Sequence, residues 1–359
     1  MHGRLLAVLL LIIVAVAIDR GLALNSSLPP SVGSGGGTLS SVFLNSAATQ
    51  MASVTASLGL SPLFTKTMSY PNPFNGANLY HEPTGAAYME MQRLSTVQPG
   101  ESRELSIIAN EPRAVWFGGW NTNVESDVRT VVNDAVTQGT LPVLVAYAVP
   151  TFSCEEYVGK RTVVETNYLK WMSQFAAGIG ANKVIVILEP DAIAGRECLS
   201  DVGGESNLMR KAIKILKTNP QTYVYIDAGH PYWNSVDRIV EKLKIAGIAE
   251  ANGFSLNVSN FIGDKDVTEY GIAISKKVEN KHFVIDSSRN GNGATSDFAW
   301  CNPRGRALGH VPSTTTGNTV IDAYLWIKQP GESDGTCNGG PEAGRWWQDY
   351  ALELVRNRK

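Results

Sequence analysis

Short apolar runs alternate with amphipathic segments from about residue 114 to the carboxyl terminus. The runs are rich in Val, Ile, Tyr and Phe and are mostly uninterrupted, which is typical of strands buried on both faces of a parallel sheet. We predict seven strands, at residues 114–120, 141–149, 183–189, 222–228, 253–261, 282–287 and 322–328. Helical patterns lie between them, so the chain is predicted to repeat a β/α unit with right-handed crossovers.

Two of the intervening segments show the helical pattern most clearly. Apolar residues within 236–243 recur at i, i+3, i+4 and i+7, behind Asn234 and Ser235 as candidate N-cap residues. A similar apolar stripe runs from Leu208 to Leu216, one unit earlier. Seven β/α units in one domain indicate an α/β fold of the barrel type.

The amino-terminal region has a different composition. Residues 5–18 form an unbroken apolar run of fourteen residues, short of the ~20 that a spanning helix needs and typical of a secretory signal. We predict a signal peptide at 1–23, a Ser/Gly-rich linker at 24–66 and a folded domain at 67–359. An uncleaved membrane anchor is the alternative, because Asp19 and Arg20 interrupt the approach to the cleavage site.

Composition narrows the class of ligand. The chain has 31 Lys and Arg against 33 Asp and Glu, and this balance argues against a nucleic-acid partner, which would favour a basic surface. Low charge together with 8 Trp and 12 Tyr suits an extracellular protein with a neutral ligand. The 4 Cys of a secreted chain are expected to be paired, and the spacing leaves three connectivities open.

Polar and aromatic side chains follow nearly every predicted strand. They are Trp120, Tyr147, Asp191, Asp227, Asn257, Asn260, Asp286, Arg289, Lys328, Glu332 and Asp334. Parallel barrels carry their active sites at the carboxyl ends of the strands, so these residues predict a shared site. A helix N-cap is the alternative role for Asp191.

The residue types point to carboxylate chemistry. The set holds several carboxylates, and the sequence has no Ser-His-Asp order and no His or Cys pattern with metal-ligand spacing. What remains is general acid catalysis on a neutral substrate held by Trp and Tyr rings. Glycoside hydrolysis fits this description, because two carboxyl groups flank the bond that is cut.

Several longer motifs resemble those of one known family. They read VILEPD at 186–191, YIDAGH at 225–230, FVIDSSRNGNG at 283–293, WCNPRGR at 300–306 and DAYLWIKQPGESD at 322–334. In order and spacing they resemble glycoside hydrolase family 6, the cellulases that comprise endoglucanases and cellobiohydrolases. The resemblance covers roughly residue 70 to the carboxyl terminus. It implies a distorted, partly open seven-stranded parallel β/α barrel that cuts β-1,4-glucan with inversion, without a metal or other cofactor.

The resemblance also implies roles for individual residues. Asp191 would be the general acid, Tyr147 would stand beside the −1 sugar, Asp227 would belong to the supporting carboxylates, and Asp334 would be the carboxylate near the −1 sugar. The implied sugar-stacking residues are Trp116, Trp233 and Trp300, and the implied glucan-binding residues are His230, Asn260, Lys328 and Glu332. The implied disulfides are Cys154–Cys198 and Cys301–Cys337.

One departure from the family pattern affects catalysis. Ser153 stands where the family has an aspartate that raises the pKa of the acid and helps to organise the attacking water. The following residues, 155–166, read EEYVGKRTVVET, where the family has a mobile Ser/Gly-rich loop. Two interpretations stay open: a slow glucanase, or a catalytically disabled member that binds glucan or organises a cell wall.

The segment after Asp334 bears on the mode of attack. Only residues 335–341 separate Asp334 from the final helical segment, where the family's cellobiohydrolases carry a long insertion that roofs a tunnel. We therefore expect an endo-acting, secreted monomer whose partner is cellulose or soluble β-glucan, with no nucleic acid and with no membrane association once the signal is cleaved.

Overall fold

All seven predicted strands form one parallel sheet in the computed structural model of the protein, which describes residues 71–150, 153–199 and 207–359. Each strand pairs with the next in chain order, from β1 to β7. The strands are β1 (Val115–Gly118), β2 (Val143–Tyr147), β3 (Val184–Leu188), β4 (Thr222–Asp227), β5 (Gly253–Leu256), β6 (His282–Asp286) and β7 (Ile321–Leu325). The predicted signal peptide, the linker and the first residues of the predicted domain lie outside the described residues.

Of the described α-helices, two precede β1, six lie between strands and one follows β7. They are α1 (Ala86–Val97), α2 (Pro99–Ala109), α3 (Val124–Thr137), α4 (Cys154–Ile179), α5 (Ala192–Gly195), α6 (Leu208–Leu216), α7 (Val236–Ala246), α8 (Asp264–Lys277) and α9 (Gln348–Arg356). The predictions of α6 and α7 are confirmed, and Ser235 caps α7 by accepting a hydrogen bond from the amide of Arg238. The expectation of a helix in every unit is wrong for residues 287–320, which join β6 to β7 without an α-helix. Nowhere in the described ranges is a helix both long and apolar enough to span a bilayer.

The sheet curls into a partly open barrel. Within the described residues β1 and β7 share no ladder, yet the amide of Ala114 donates to the carbonyl of Trp326 over 2.9 Å. Trp116 adds a second link, because its Nε1 donates to the carbonyl of Ile327 over 2.7 Å. The first and last strands therefore meet through single hydrogen bonds at the edges of the sheet.

Both faces of the sheet are buried. Val145, Ile187 and Val284 point into the barrel, whereas their neighbours Leu144 and Val186 pack outwards against the helices. Successive side chains of a strand alternate between the two faces, and here both faces meet apolar cores. This explains why the strand segments read as apolar runs without polar alternation.

A buried carboxylate holds the chain together where three strands end. Asp286, which is fully buried at the end of β6, accepts hydrogen bonds from the amides of Ser259 at 2.9 Å, Ser288 at 3.0 Å and Lys328 at 2.9 Å. Its oxygens are occupied by the backbone, so this strand-end aspartate has a structural role.

Candidate active site

A cleft of about 1020 Å³ runs along the carboxyl edge of the barrel. The predicted site residues that line it are Trp116, Trp120, Tyr147, Asp191, His230, Trp233, Asn260, Trp300, Lys328, Glu332 and Asp334. Five other residues predicted for the site do not line it: Asp227, Ser153, Asn257, Asp286 and Arg289. The sheet thus brings together side chains from loops that follow β1 to β7.

Asp191 reaches the cleft from a tight turn after β3. Glu189 and Asp191 both have positive φ, at 50° and 69°, a conformation that non-glycine residues rarely adopt and that is typical of functional sites. The turn is closed by a hydrogen bond of 3.1 Å from the amide of Ala192 to the carbonyl of Glu189. The backbone strain is therefore located at the residue whose carboxyl faces the cleft.

The Asp191 carboxyl is free to react. It forms no hydrogen bond with any residue that the structure describes, and it does not cap α5, so the alternative of an N-cap role is wrong. Burial raises the pKa of Asp191 to about 6, against a smaller opposing effect of Arg196. A carboxyl of this kind keeps its proton into the mildly acidic range, where general acids work.

Asp227 holds the backbone of Asp191 from the interior of the protein. It is buried at the end of β4 and accepts hydrogen bonds from the amide of Asp191 at 3.0 Å, the amide of Gly229 at 3.3 Å and the hydroxyl of Ser255 at 3.3 Å. Burial, and then the negative charge of Asp191, raise the pKa of Asp227 to about 8. Asp227 therefore positions the Asp191 backbone without touching the cleft.

A second charged cluster lies after β7. Asp334 accepts a hydrogen bond of 2.8 Å from the fully buried guanidinium of Arg289, and its other oxygen lies 4.0 Å from Lys328 Nζ. Lys328 also lies 3.7 Å from Glu332. Burial lowers the pKa of Lys328 and raises that of Glu332. The cluster places carboxylate oxygens and an amine where sugar hydroxyls can bind.

Aromatic rings form the other walls of the cleft. The rings of Trp116 and Tyr147 meet edge to face with centroids 5.4 Å apart. Trp233 lies so close to Gly195 that a Cβ there would stand 2.8 Å from its ring. The ring centroids of His230 and Trp233 are 5.7 Å apart. Burial lowers the pKa of His230 to about 4. His230 is therefore neutral at ordinary pH and can donate or accept a hydrogen bond.

Ser153 begins a long helix at the side of the cleft. Its hydroxyl accepts a hydrogen bond of 3.1 Å from the amide of Glu156, whose carboxylate in turn accepts one of 2.9 Å from the amide of Ser153. This capping box starts α4, so residues 155–166 are helical. None of the described residues in 153–166 lines the cleft.

Both disulfides implied by the resemblance are present. Cys154 is bonded to Cys198, and Cys301 is bonded to Cys337. The first bond joins the start of α4 to the segment after Asp191, and the second joins the loop of Trp300 to the segment after Asp334. Each disulfide therefore fixes a loop that borders the cleft.

Several residues of the cleft are absent from the predicted set. They are Glu82, Val115, Tyr232, Ser259, Phe298, Gln329, Ser333, Ala343 and Gly344. Tyr232 and Phe298 stack with ring centroids 4.0 Å apart, and each stands one or two positions before a predicted Trp. Their position next to Trp233 and Trp300 in the sequence could have identified these two aromatic residues as part of the cleft. Glu82 precedes β1, so a search limited to residues that follow strands could not identify it.

A parallel barrel with buried carboxyls and ring faces at its carboxyl edge is typical of glycosidases. In the part of the chain that the structure describes, no group of three or more His, Cys, Asp or Glu residues could hold a metal ion. The family described as glycosyl hydrolases family 6 matches residues 74–358. The chain belongs to this family.

Relatives and solved structures agree with this assignment. Endoglucanase A of Cellulomonas fimi is 43% identical over 80% of this chain, which spans 63% of that protein's length. Endoglucanase 1 of Streptomyces halstedii is 35% identical, over 77% of this chain and 88% of its own. The structure of the endoglucanase Cel6 from Mycobacterium tuberculosis, in complex with a thio-linked cellobioside, matches with a TM-score of 0.71 and 38% identity, covering 80% of this chain and 99% of that one.

The coupled carboxyls predict how stability depends on pH. The pKa values of Asp191 and Asp227 are raised to about 6 and about 8 in the folded protein, so the native state binds more protons than the unfolded chain above about pH 4. Their stabilisation is therefore complete below about pH 4 and is lost as the pH rises through these values. We expect Asp227→Asn to flatten the decline in unfolding free energy between about pH 5 and pH 9, as measured by chemical denaturation.

The matched control is Asp237→Asn, because the Asp237 side chain is 85% exposed on α7. This variant should keep the pH slope of the wild type. Equal slopes for Asp227→Asn and the wild type would contradict the assignment of a retained proton to the buried pair.

Proposed function

We propose that this chain is a secreted β-1,4-glucanase that hydrolyses cellulose or soluble β-glucan by an inverting mechanism. The observation that carries the proposal is the Asp191 carboxyl, which is exposed to the cleft, forms no hydrogen bond and has its pKa raised to about 6 by burial. Membership of glycosyl hydrolases family 6 supports the substrate class, because the relatives at 35–43% identity are endoglucanases.

Asp191 is the general acid in this proposal. Its carboxyl donates a proton to the glycosidic oxygen as the bond to the anomeric carbon breaks, so that the leaving sugar departs with a hydroxyl. A water molecule attacks the same carbon from the opposite face, inverts its configuration and releases a proton to solvent, and solvent returns a proton to Asp191 before the next turnover. The strained turn and the Asp227 hydrogen bond of 3.0 Å to its amide hold Asp191 at the cleft.

The other cleft residues bind and orient the sugars. Burial, reinforced by the charge of Asp191, raises the pKa of Tyr147, so its phenol stays neutral and can donate a hydrogen bond beside the reacting sugar. Arg289 and Lys328 place positive charge beside Asp334. This arrangement suits a carboxylate that binds the sugar in the cleft. Exposed ring faces, such as those of Trp233 and Trp300, suit the apolar faces of glucose units.

Secretion and the state of assembly belong to the same proposal. The predicted signal at residues 1–23 directs the chain out of the cell, and two disulfides among the described residues fit an oxidising compartment. We infer a monomer that binds β-glucan and uses neither a metal nor a cofactor. The cleft receives no carboxylate from 153–166, which supports a slow enzyme.

Removing the acid should strongly reduce turnover and leave binding intact. For Asp191→Asn we expect release of reducing sugar from barley β-glucan and carboxymethylcellulose to fall by about 10²–10⁴-fold. Binding of cellotetraose should persist, because the amide has the same shape. Asp237→Asn is the exposed control, and NMR of the first products should show the α-anomer. Activity retained in Asp191→Asn, or β-anomer as the first product, would overturn the proposed mechanism.

A catalytically disabled, glucan-binding protein is the second candidate. The observation that favours it is Ser153, whose hydroxyl caps α4 where the family carries an aspartate. We expect Ser153→Asp to fold normally, because Asp caps helices as well as Ser does. We expect little change in kcat, because the capping geometry directs this side chain to the amide of Glu156. An inactive wild type that binds glucan and gains hydrolysis in Ser153→Asp would establish the disabled protein.

The final helix α9 begins at Gln348, so the expectation that it directly follows residue 341 is wrong. The segment after Asp334 is still short, and this predicts internal cleavage. Residues 335–341 include a single turn of 3-10 helix, Cys337–Gly339, held by the disulfide of Cys301, and nearby Gly344 borders the cleft. We therefore expect the viscosity of carboxymethylcellulose to fall faster than reducing ends appear. Parallel changes of the two signals would indicate attack from chain ends instead.

A further inference from the structure

Glu189 is a buried carboxyl that the proposed mechanism does not use. It lies two residues before Asp191 and is 2% exposed. Both of its oxygens face the segment after β2: the amide of Ala148 donates to them at 3.0 and 3.2 Å, and the amide of Val149 donates to one at 3.1 Å. The carboxyl therefore joins the ends of two neighbouring strands.

The position of these amides makes the link relevant to the cleft. The amide of Ala148 belongs to the peptide group that follows Tyr147, and a peptide group is a rigid plane. Holding its N–H therefore fixes the backbone that directs the Tyr147 ring. On the other side, the amide of Glu189 donates to the carbonyl of Ala146 over 2.8 Å, and the strained turn of Glu189 leads directly to Asp191.

Two further contacts join the same segments, farther from Tyr147. Arg196 donates to the carbonyl of Pro150 over 2.7 Å, and Cys154 is bonded to Cys198. Of these contacts, only the hydrogen bonds of Glu189 involve Ala148, the residue that directly follows Tyr147. Burial raises the pKa of Glu189 to about 7, while the two backbone amides oppose that rise, as expected for acceptors that favour the ionised form.

We propose that Glu189 is a positioning residue: through the amides of Ala148 and Val149, its carboxyl group fixes the Tyr147 ring relative to Asp191. The inference rests on the proposed role of Asp191 as general acid. A small displacement of Tyr147 would leave sugar binding along the cleft intact and would misplace the reacting sugar relative to the acid. The role therefore appears in kcat, not in substrate affinity.

The test is Glu189→Gln, which keeps the volume of the side chain and replaces one acceptor oxygen by an NH₂ donor. One of the backbone N–H groups then faces another donor. We expect kcat on barley β-glucan to fall by about 10- to 100-fold. KM and the dissociation constant of cellotetraose should stay close to those of the wild type. Glu189→Asp keeps the acceptors on a shorter side chain and should recover part of the lost kcat.

The matched control is Asp322→Asn, which also alters a buried carboxylate. Asp322 accepts a hydrogen bond of 2.6 Å from Tyr225 and lies 2.8 Å from His282, and it does not line the cleft. This variant should unfold at a lower temperature and keep the kcat of its folded fraction. If folded Glu189→Gln keeps the wild-type kcat, or if Asp322→Asn loses kcat equally, the positioning role is overturned.

The Asp191→Asn variant in the same assay separates this inference from the proposed function. An active wild type, an inactive Asp191→Asn and a fully active Glu189→Gln would overturn the positioning role alone. If circular dichroism shows that Glu189→Gln does not fold, Glu189→Asp becomes the test. A wild-type kcat in that variant would overturn the role, and a reduced kcat with unchanged cellotetraose binding would support it.

Discussion

Backbone amides that leave the parallel ladder at its carboxyl edge need acceptors, and buried carboxyl groups supply them in this protein. Asp227 accepts the amide of Asp191, and Glu189 accepts the amides of Ala148 and Val149. Asp286 likewise accepts hydrogen bonds from backbone amides that follow β5, β6 and β7. Unpaired buried amides are costly, so these contacts determine the course of the loops that carry the cleft residues.

The same arrangement distinguishes the carboxyl that can react from those that cannot. The oxygens of Asp286 and Asp227 are occupied by amide and hydroxyl donors. Asp191 contributes its amide to the arrangement, and its carboxyl forms no hydrogen bond within the described residues. Burial then raises its pKa, so the contacts that fix its backbone also leave its proton available to a substrate.

Much of the fold follows from the sequence because both faces of the sheet are buried. Apolar runs such as that of β3 mark the strands, and Ser235 marks the start of α7. Strand ends are less accurate, because polar residues such as Asn257 and Asn260 continue the β5 run without continuing the ladder. Residues 287–320 were expected to include a helix, and their Gly- and Asn-rich sequence forms a loop instead.

The site is predictable to the extent that strand ends converge on one edge. That rule, with the family resemblance, selects Asp191, Tyr147 and Lys328. It cannot distinguish a residue that lines the cleft from one that supports the lining residues. Asp191 and Asp227 both follow a strand, but the Asp191 carboxyl faces the cleft, whereas the Asp227 carboxyl accepts a hydrogen bond from the amide of Asp191. It also cannot reveal that Ser153 caps a helix, since the capping box depends on residues 155–166 being helical.

The most direct test of the central claim is the pH dependence of kcat/KM on a soluble β-glucan, because this ratio reports the ionisation of the free enzyme's essential acid. The raised pKa of Asp191, about 6, predicts that kcat/KM falls on the alkaline side with an apparent pKa near that value. A kcat/KM that stays constant from about pH 5 to pH 8 would show that no carboxyl of this kind supplies the proton.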